Sequence, residues 1–342
     1  MDATPKSAAE LDDRISQPPD SVVEAVAACP GDFTIIGAGG KMGFHVGRML
    51  QRAIESTGRQ DRVTAVSRFS SAAARQPFER FGFDVVSADA SDETQLSMLP
   101  RSPNVIYLAG VKFGTSSSSD LLDRLNVVMP ERVATHFRDS RLVALSTGCV
   151  YSFTAPQSGG STEQSEMDPP GEYARSCIGR ERAFTKASQT YGTACAIVRL
   201  NYSIDLRYGV LVDIAKTVLS GQPVNVDTGH VNVIWQGDAV AHILACLPHA
   251  ASPPLVVNVT GAEILPVREL AQRFAQEFGC NVSFSGSESN TAWLSNASLS
   301  HQMFGPPRVS IDQMIAWIAE WLQRGGATWD KPTHFQTRDG NY

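Results

Sequence analysis

Seven consecutive residues, Gly37-Ala38-Gly39-Gly40-Lys41-Met42-Gly43, have the makings of an anion cradle. They lie between an apolar run, Phe33-Thr34-Ile35-Ile36, and a stretch whose apolar residues Val46, Met49, Leu50, Ala53 and Ile54 fall on one helical face. A strand running through a glycine turn into a helix leaves backbone N–H groups unpaired at the positive end of the helix dipole. Glycine there lets a pyrophosphate approach the backbone closely. The spacing is Gly37-x-x-Gly40-x-x-Gly43; the alternative G-x-G-x-x-G reading fits worse, because its last position falls on Met42. In this context the pattern points to dinucleotide binding by Gly37, Gly39, Gly40, Lys41, Met42 and Gly43, the plainer reading being an ordinary tight strand-to-helix turn. The next apolar strand, residues 62–66, leads into Ser67-Arg68. An acidic residue there would hold a ribose 2′-hydroxyl and an arginine accommodates a 2′-phosphate, so NADP is favoured over NAD.

The six cysteines, at 29, 149, 177, 195, 246 and 280, form no C-x-x-C pair and no Cys/His spacing of a zinc site, so no metal is expected and the thiols read as reduced. Net charge is -6, which gives nucleic-acid binding no electrostatic support. No apolar run is long enough to span a bilayer, and the polar, acidic start MDATPKSAAELDDR lacks the apolar core of a signal peptide; a cytoplasmic protein is expected.

Elements that could hold the turn in place follow along the chain. Strands are expected at 33–36, 62–66, 104–109, 142–146, 195–200 and 255–259, with helices at 120–137 and 173–189 among those between them. Short β-rich runs alternating with helices predict a doubly wound parallel α/β sheet covered on both faces, a Rossmann-type fold. Residues 1–30 read as an N-terminal arm with a short helix from Ser21 to Ala28, capped by Asp20 or Ser21. A nucleotide-binding domain is expected over 31–201, with 233–261 returning to it. A smaller substrate domain would comprise 202–232 and 262–325, including helices at 267–278 and 311–322, and 326–342 would be a tail. Thr115 to Ser119 reads as a mobile loop near the cofactor and 157–170 as a polar loop. His45 and His242 read as packed helical residues, and Asp238 as a helix N-cap.

From about Phe33 to Leu322 the chain resembles the extended short-chain dehydrogenases/reductases, the NAD-dependent epimerase/dehydratase family. The glycine turn, Asp89 after the third strand, Leu108-Ala109-Gly110 after the fourth and Asn126-Val127 in the following helix carry the resemblance. So do Ser146-Thr147-Gly148-Cys149-Val150-Tyr151, Tyr173-Ala174-Arg175-Ser176 with Glu181, Asp238-Ala239-Val240 and Asn258-Val259-Thr260-Gly261. The resemblance implies cofactor contacts from Asp89, Ala109, Gly110, Tyr173 and position 177. It implies a catalytic hydroxyl on Thr147, an acid/base on Tyr173, and a homodimer through the helices at 120–137 and 173–189.

The family also places a lysine four residues after the tyrosine, on the same helix face. Such a cation lowers a phenol pKa from about 10 and holds the nicotinamide ribose. Here that position is Cys177. Arg180, seven residues after Tyr173, and Lys112, past the fourth strand, are candidate replacement cations, against the plainer reading of solvated charges. Cys149 and Cys177 are expected to face one pocket, as small packed residues more than as reactive thiols. The segment Val231-Asn232-Val233-Ile234-Trp235 lacks the arginine that family members use on nucleotide sugars, which argues against such a substrate. The expected function is therefore an NAD(P)-dependent oxidoreductase or epimerase acting on a hydroxyl or carbonyl carbon of a sugar-like small molecule. The alternative is a catalytically degenerate NAD(P)-binding protein that senses or scaffolds.

Overall fold

Apolar runs too short for helices become strands buried on both faces. The computed structural model describes residues 3–111 and 119–339. Strands β1 (Phe33–Ile36), β2 (Val63–Ser67), β3 (Asp84–Ser87), β4 (Asn104–Tyr107), β5 (Arg141–Thr147) and β6 (Cys195–Leu200) come first. Four two-residue strands follow, β7 (Ser203–Ile204), β8 (Val224–Asn225), β9 (His230–Val231) and β10 (Ile234–Trp235), and then β11 (Leu255–Val259). The main sheet has seven strands in the order β11-β6-β5-β4-β1-β2-β3. All its pairings are parallel. This is the doubly wound α/β fold expected from the sequence. The strand order reverses between β1 and β4, where such sheets open a crevice at their carboxyl ends.

Helices cover both faces. Helix α1 (Ala8–Ile15), α2 (Asp20–Ala27) and α3 (Gly43–Ser56) precede α4 (Ala72–Arg80) and the short α5 (Glu93–Ser97). One face of the sheet buries Val22 and Val26 of α2 against Val46, Met49 and Leu50 of α3. The other buries Tyr107, Met129, Val133, Phe137 and Phe184. The single helix expected over 120–137 is broken into α6 (Ser119–Asp123), a π-helical turn at Arg124–Val128, and α7 (Met129–His136). The wide turn carries the fully buried Asn126, and Pro130 has no N–H to continue a regular helix from within. Helix α8 (Glu172–Tyr191) packs beside α7.

A second apolar core gathers side chains of α9 (Val210–Leu219), α11 (Val267–Phe278) and α13 (Ile311–Gln323), with Trp235 of β10. Between them come α10 (Gln236–Ala245) and α12 (Ser298–Phe304). The N-terminal arm belongs to this core through Leu11 and Ile15, both fully buried. Sequence reading missed α1, because these two residues alone make a narrow stripe in an otherwise polar stretch. Its second helix starts one residue earlier than expected, after Pro19, and no side chain caps it. Asp238 is not an N-cap either: it lies inside α10 and accepts from Arg308 Nε and Val309 N, both at 3.0 Å. No helix among the described residues is long and apolar enough to cross a membrane.

Candidate active site

The glycine turn leaves β1 and enters α3 with no slack. Gly37 has φ +88°, and a Cβ there would lie 2.6 Å from the backbone N of Ala109. A Cβ on Gly43 would collide with the carbonyl of Ala38. Any side chain at either place would push the turn away from β4 or from itself. The first N–H groups of α3 have no helical acceptor and sit at its positive end. These features fit a pyrophosphate. A groove of about 250 Å³ continues over the carboxyl ends of β2 and β4 and is lined by Gly39, Ser67, Arg68, Asp89, Ala109 and Gly110 among others. Asp89 is held by the amide and hydroxyl of Ser91, at 2.9 and 2.7 Å.

A second cleft of about 290 Å³ joins the same turn to the far side. Gly37, Gly40, Lys41, Met42 and Gly43 form one wall, and Thr147 and Tyr173 another. Thr147 ends β5, and its hydroxyl accepts from Cys149 N at 3.2 Å, leaving its proton free to donate. Tyr173 sits in the first turn of α8. Burial pushes its phenol well above the usual range, with Cys177 and Cys149 adding to the rise and Arg180 opposing it. Cys177 is fully buried in a small cluster with Val150, Tyr151 and Ile178. Burial also raises its thiol, the opposite of what a nucleophilic thiolate requires. The six cysteines are all free.

Arg180 is buried one turn further along α8. It donates to the carbonyl of Leu145 at 3.1 Å and to Asn126 Oδ1 at 2.6 Å, beneath Gly110, where a Cβ would strike its guanidinium. Burial works against its charge, but Cys177, Tyr107, Tyr173 and Glu181 outweigh that and hold it protonated. Asn126 is the hub: it also accepts from Val111 N at 3.1 Å and donates to Val111 O and Ser176 Oγ. The π-turn, the end of β4 and α8 are thereby locked around Arg180. Lys112, the other proposed cation, lies outside the described residues, as do Thr115 to Ser118 of the expected loop.

Sequence reasoning missed three features. Ser146 donates to Glu181, which pairs with Arg199 at 2.7 Å; Arg199 in turn donates to Tyr151 Oη at 2.7 Å, and Tyr151 to Asn258. This buried column fixes β5 against α8; Ser146, Tyr151, Glu181 and Asn258 had appeared only as motif letters and Arg199 only within a strand. Lys41 turns across the cleft, its Nζ 3.1 Å from the Ser203 carbonyl and 4.0 Å from the centre of the Tyr208 ring. Burial depresses its pKa to about 8. Thr333 of the tail also lines the cleft, held to Asp213 Oδ2 by its amide at 2.7 Å and its hydroxyl at 2.6 Å. Nothing in the tail sequence signals that.

Residues 33–226 match the profile of the NAD dependent epimerase/dehydratase family. The chain belongs to that family. No curated protein sequence matches it significantly. Solved structures with the same fold include a double mutant of DesIV, the dTDP-glucose 4,6-dehydratase of Streptomyces venezuelae, with a TM-score of 0.72 at 19% identity over 86% of this chain and 98% of that one. The UDP-glucuronic acid 4-epimerase of Bacillus cereus has a TM-score of 0.71 at 14% identity, covering 86% and 99%. The UDP-glucose 4-epimerase of Thermus thermophilus has a TM-score of 0.69 at 17% identity, covering 85% and 99%. All three were solved with NAD. At such identities the likeness is one of fold.

Proposed function

We propose that this member of the epimerase/dehydratase family is an NAD(P)-dependent oxidoreductase or epimerase acting at a hydroxyl or carbonyl carbon of a sugar-like molecule. The observation that carries the reading is that the glycine turn, Thr147 and Tyr173 line one cleft. A nicotinamide ring supplies a hydride acceptor or donor. The chain's own part is to hold the pyrophosphate on the turn, to orient the substrate oxygen by the Thr147 hydroxyl, and to exchange the oxygen's proton with Tyr173. With its phenol raised by burial, Tyr173 is neutral, the form that carries the proton a carbonyl oxygen would take. Ser67 and Arg68 at the end of β2 favour NADP. Asn232 is buried and committed to Asn201 and the Ser295 carbonyl, at 2.8 and 2.6 Å, so this segment offers no cation to a sugar-linked pyrophosphate.

The test is titration with NADPH and NADH, followed by turnover with a panel of sugars, sugar acids and nucleotide sugars. NADPH should bind more tightly and lose that advantage in Arg68→Ala. Turnover should appear with a non-nucleotide sugar and vanish in Tyr173→Phe. Turnover unchanged in Tyr173→Phe would refute the assignment. A second reading, a binder without turnover, is favoured by the buried Cys177 beside Tyr173; tight cofactor binding with no conversion of any substrate would establish it. We also propose a homodimer formed through α6, α7 and α8, the commonest closed symmetry. Light scattering at micromolar concentration should give twice the chain mass, and a monomer mass would exclude it.

A further inference from the structure

A larger cavity, of about 680 Å³, opens on another side of the glycine turn. It shares Gly39, Gly40 and Lys41 with the cofactor clefts, but neither Thr147 nor Tyr173 lines it. Its walls come from α1, α3 and α4, with Trp329 from the tail. Helix α1 and Trp329 lie outside residues 33–226, the stretch that matches the family profile.

Its charges are unequally matched. Arg52 is paired with Asp13, and Arg207 with Asp12 and Asp205. These pairs fasten α1 to the rest of the molecule. Arg48 is half-buried on α3 and bonds only the neutral Gln51, at 2.7 Å. Among the described residues no carboxylate forms an ion pair with it. Burial first, and then the neighbouring Arg52, press against its charge, and Glu55 and Asp13 offset only part of that. An arginine keeps its proton under such pressure, so the guanidinium remains a cation with no carboxylate bonded to it. It lies 4.2 Å from the centre of the Phe81 ring, and the exposed Arg80 stands 5.8 Å from the same ring. No described carboxylate pairs with Arg80 either. Phe81 and Trp329 remain 40% and 39% exposed, unusual for rings of that size and available to a planar group. Two guanidinium forks match the oxygens of a phosphate, and the cavity falls within the range of small-molecule sites.

We propose that this cavity is a second ligand site that takes a small organic phosphate carrying a flat ring, with Arg48 and Arg80 on the phosphate and Phe81 against the ring. The test is calorimetric titration of the full chain with phenyl phosphate, with and without saturating NADH. Saturable binding should occur in both conditions. It should weaken about tenfold in Arg48→Met, the size expected for one lost charge-assisted bond. Arg80→Ala, a change at an exposed position, should weaken it as well while leaving NADH affinity and melting temperature at wild-type values. Absence of saturable binding, full displacement by NADH, or wild-type affinity in both variants would overturn the proposal. The readout is binding alone, so absence of turnover would refute the proposed function and leave this site standing.

Discussion

Position 177 decides how a proton can move in this cleft. A lysine there would set an ammonium beside the Tyr173 phenol; the thiol present instead adds to the rise that burial gives that phenol. The remaining described cation on that helix face is Arg180, and its hydrogen bonds go to Leu145 and Asn126. If Arg180 has taken the electrostatic role, Cys177→Lys alone sets two cations together in a buried place and should lower both turnover and melting temperature. Arg180→Met alone takes the donor from the Leu145 carbonyl, at about 1–3 kcal/mol for a buried group left unpaired, while Asn126 Oδ1 keeps Val111 N, and should lower them too. The double variant should recover turnover above either single one, with its pH–rate profile moved to lower pH, because the nearer ammonium favours the phenolate. A gain in turnover from Cys177→Lys alone, with Arg180→Met harmless, would show that Arg180 plays no such part.

At the scale of elements, the relation between β5 and α8 determines whether Thr147 and Tyr173 face one another. It is held by the Ser146–Glu181–Arg199 column, whose ion-paired side chains are only 6% and 5% exposed. Removing one partner of such a pair leaves an unmatched buried charge, at about 3–5 kcal/mol. Arg199→Met should therefore lower the unfolding free energy obtained from urea denaturation by an amount of that order, and a value within experimental error of wild type would contradict the column's role. The elements themselves were legible where burial is uniform. Strands β1 and β4 are buried along their whole length, so the apolar runs at 33–36 and 104–109 announced them, although β4 ends two residues sooner, at Tyr107. The π-turn was only half legible: Pro130 stands in the sequence, but the tertiary bonding of Asn126 to Val111 and Arg180 leaves no local pattern. Asp238 was misplaced for a similar reason: its partners, Arg308 and Val309, lie 70 residues away.

The whole molecule is knit by contacts between distant stretches of chain. Helix α1 joins the second core, and its Asp12 meets His45 of α3 and Arg207, both at 2.8 Å. The tail crosses back so that Thr333 reaches the cleft. The glycine turn, Thr147 and Tyr173 could be read as motif residues, but the wall facing them could not, because it is assembled from Ser203, Tyr208 and Thr333 by the folding of the whole chain. Lys41 is where the two parts meet, and its situation there makes it a built-in reporter. With a pKa of about 8, half of its amines are free base at pH 8. An ordinary exposed lysine, with a pKa near 10.4, is well under about one per cent free base at that pH. A limiting dose of acetic anhydride should thus acylate Lys41 ahead of the surface lysines, as read by peptide mass spectrometry. Saturating NADPH should shield it, turning a single acetyl mark into a gauge of cofactor occupancy. Surface lysines modified first, with Lys41 untouched in the protein without cofactor, would rule it out as such a reporter.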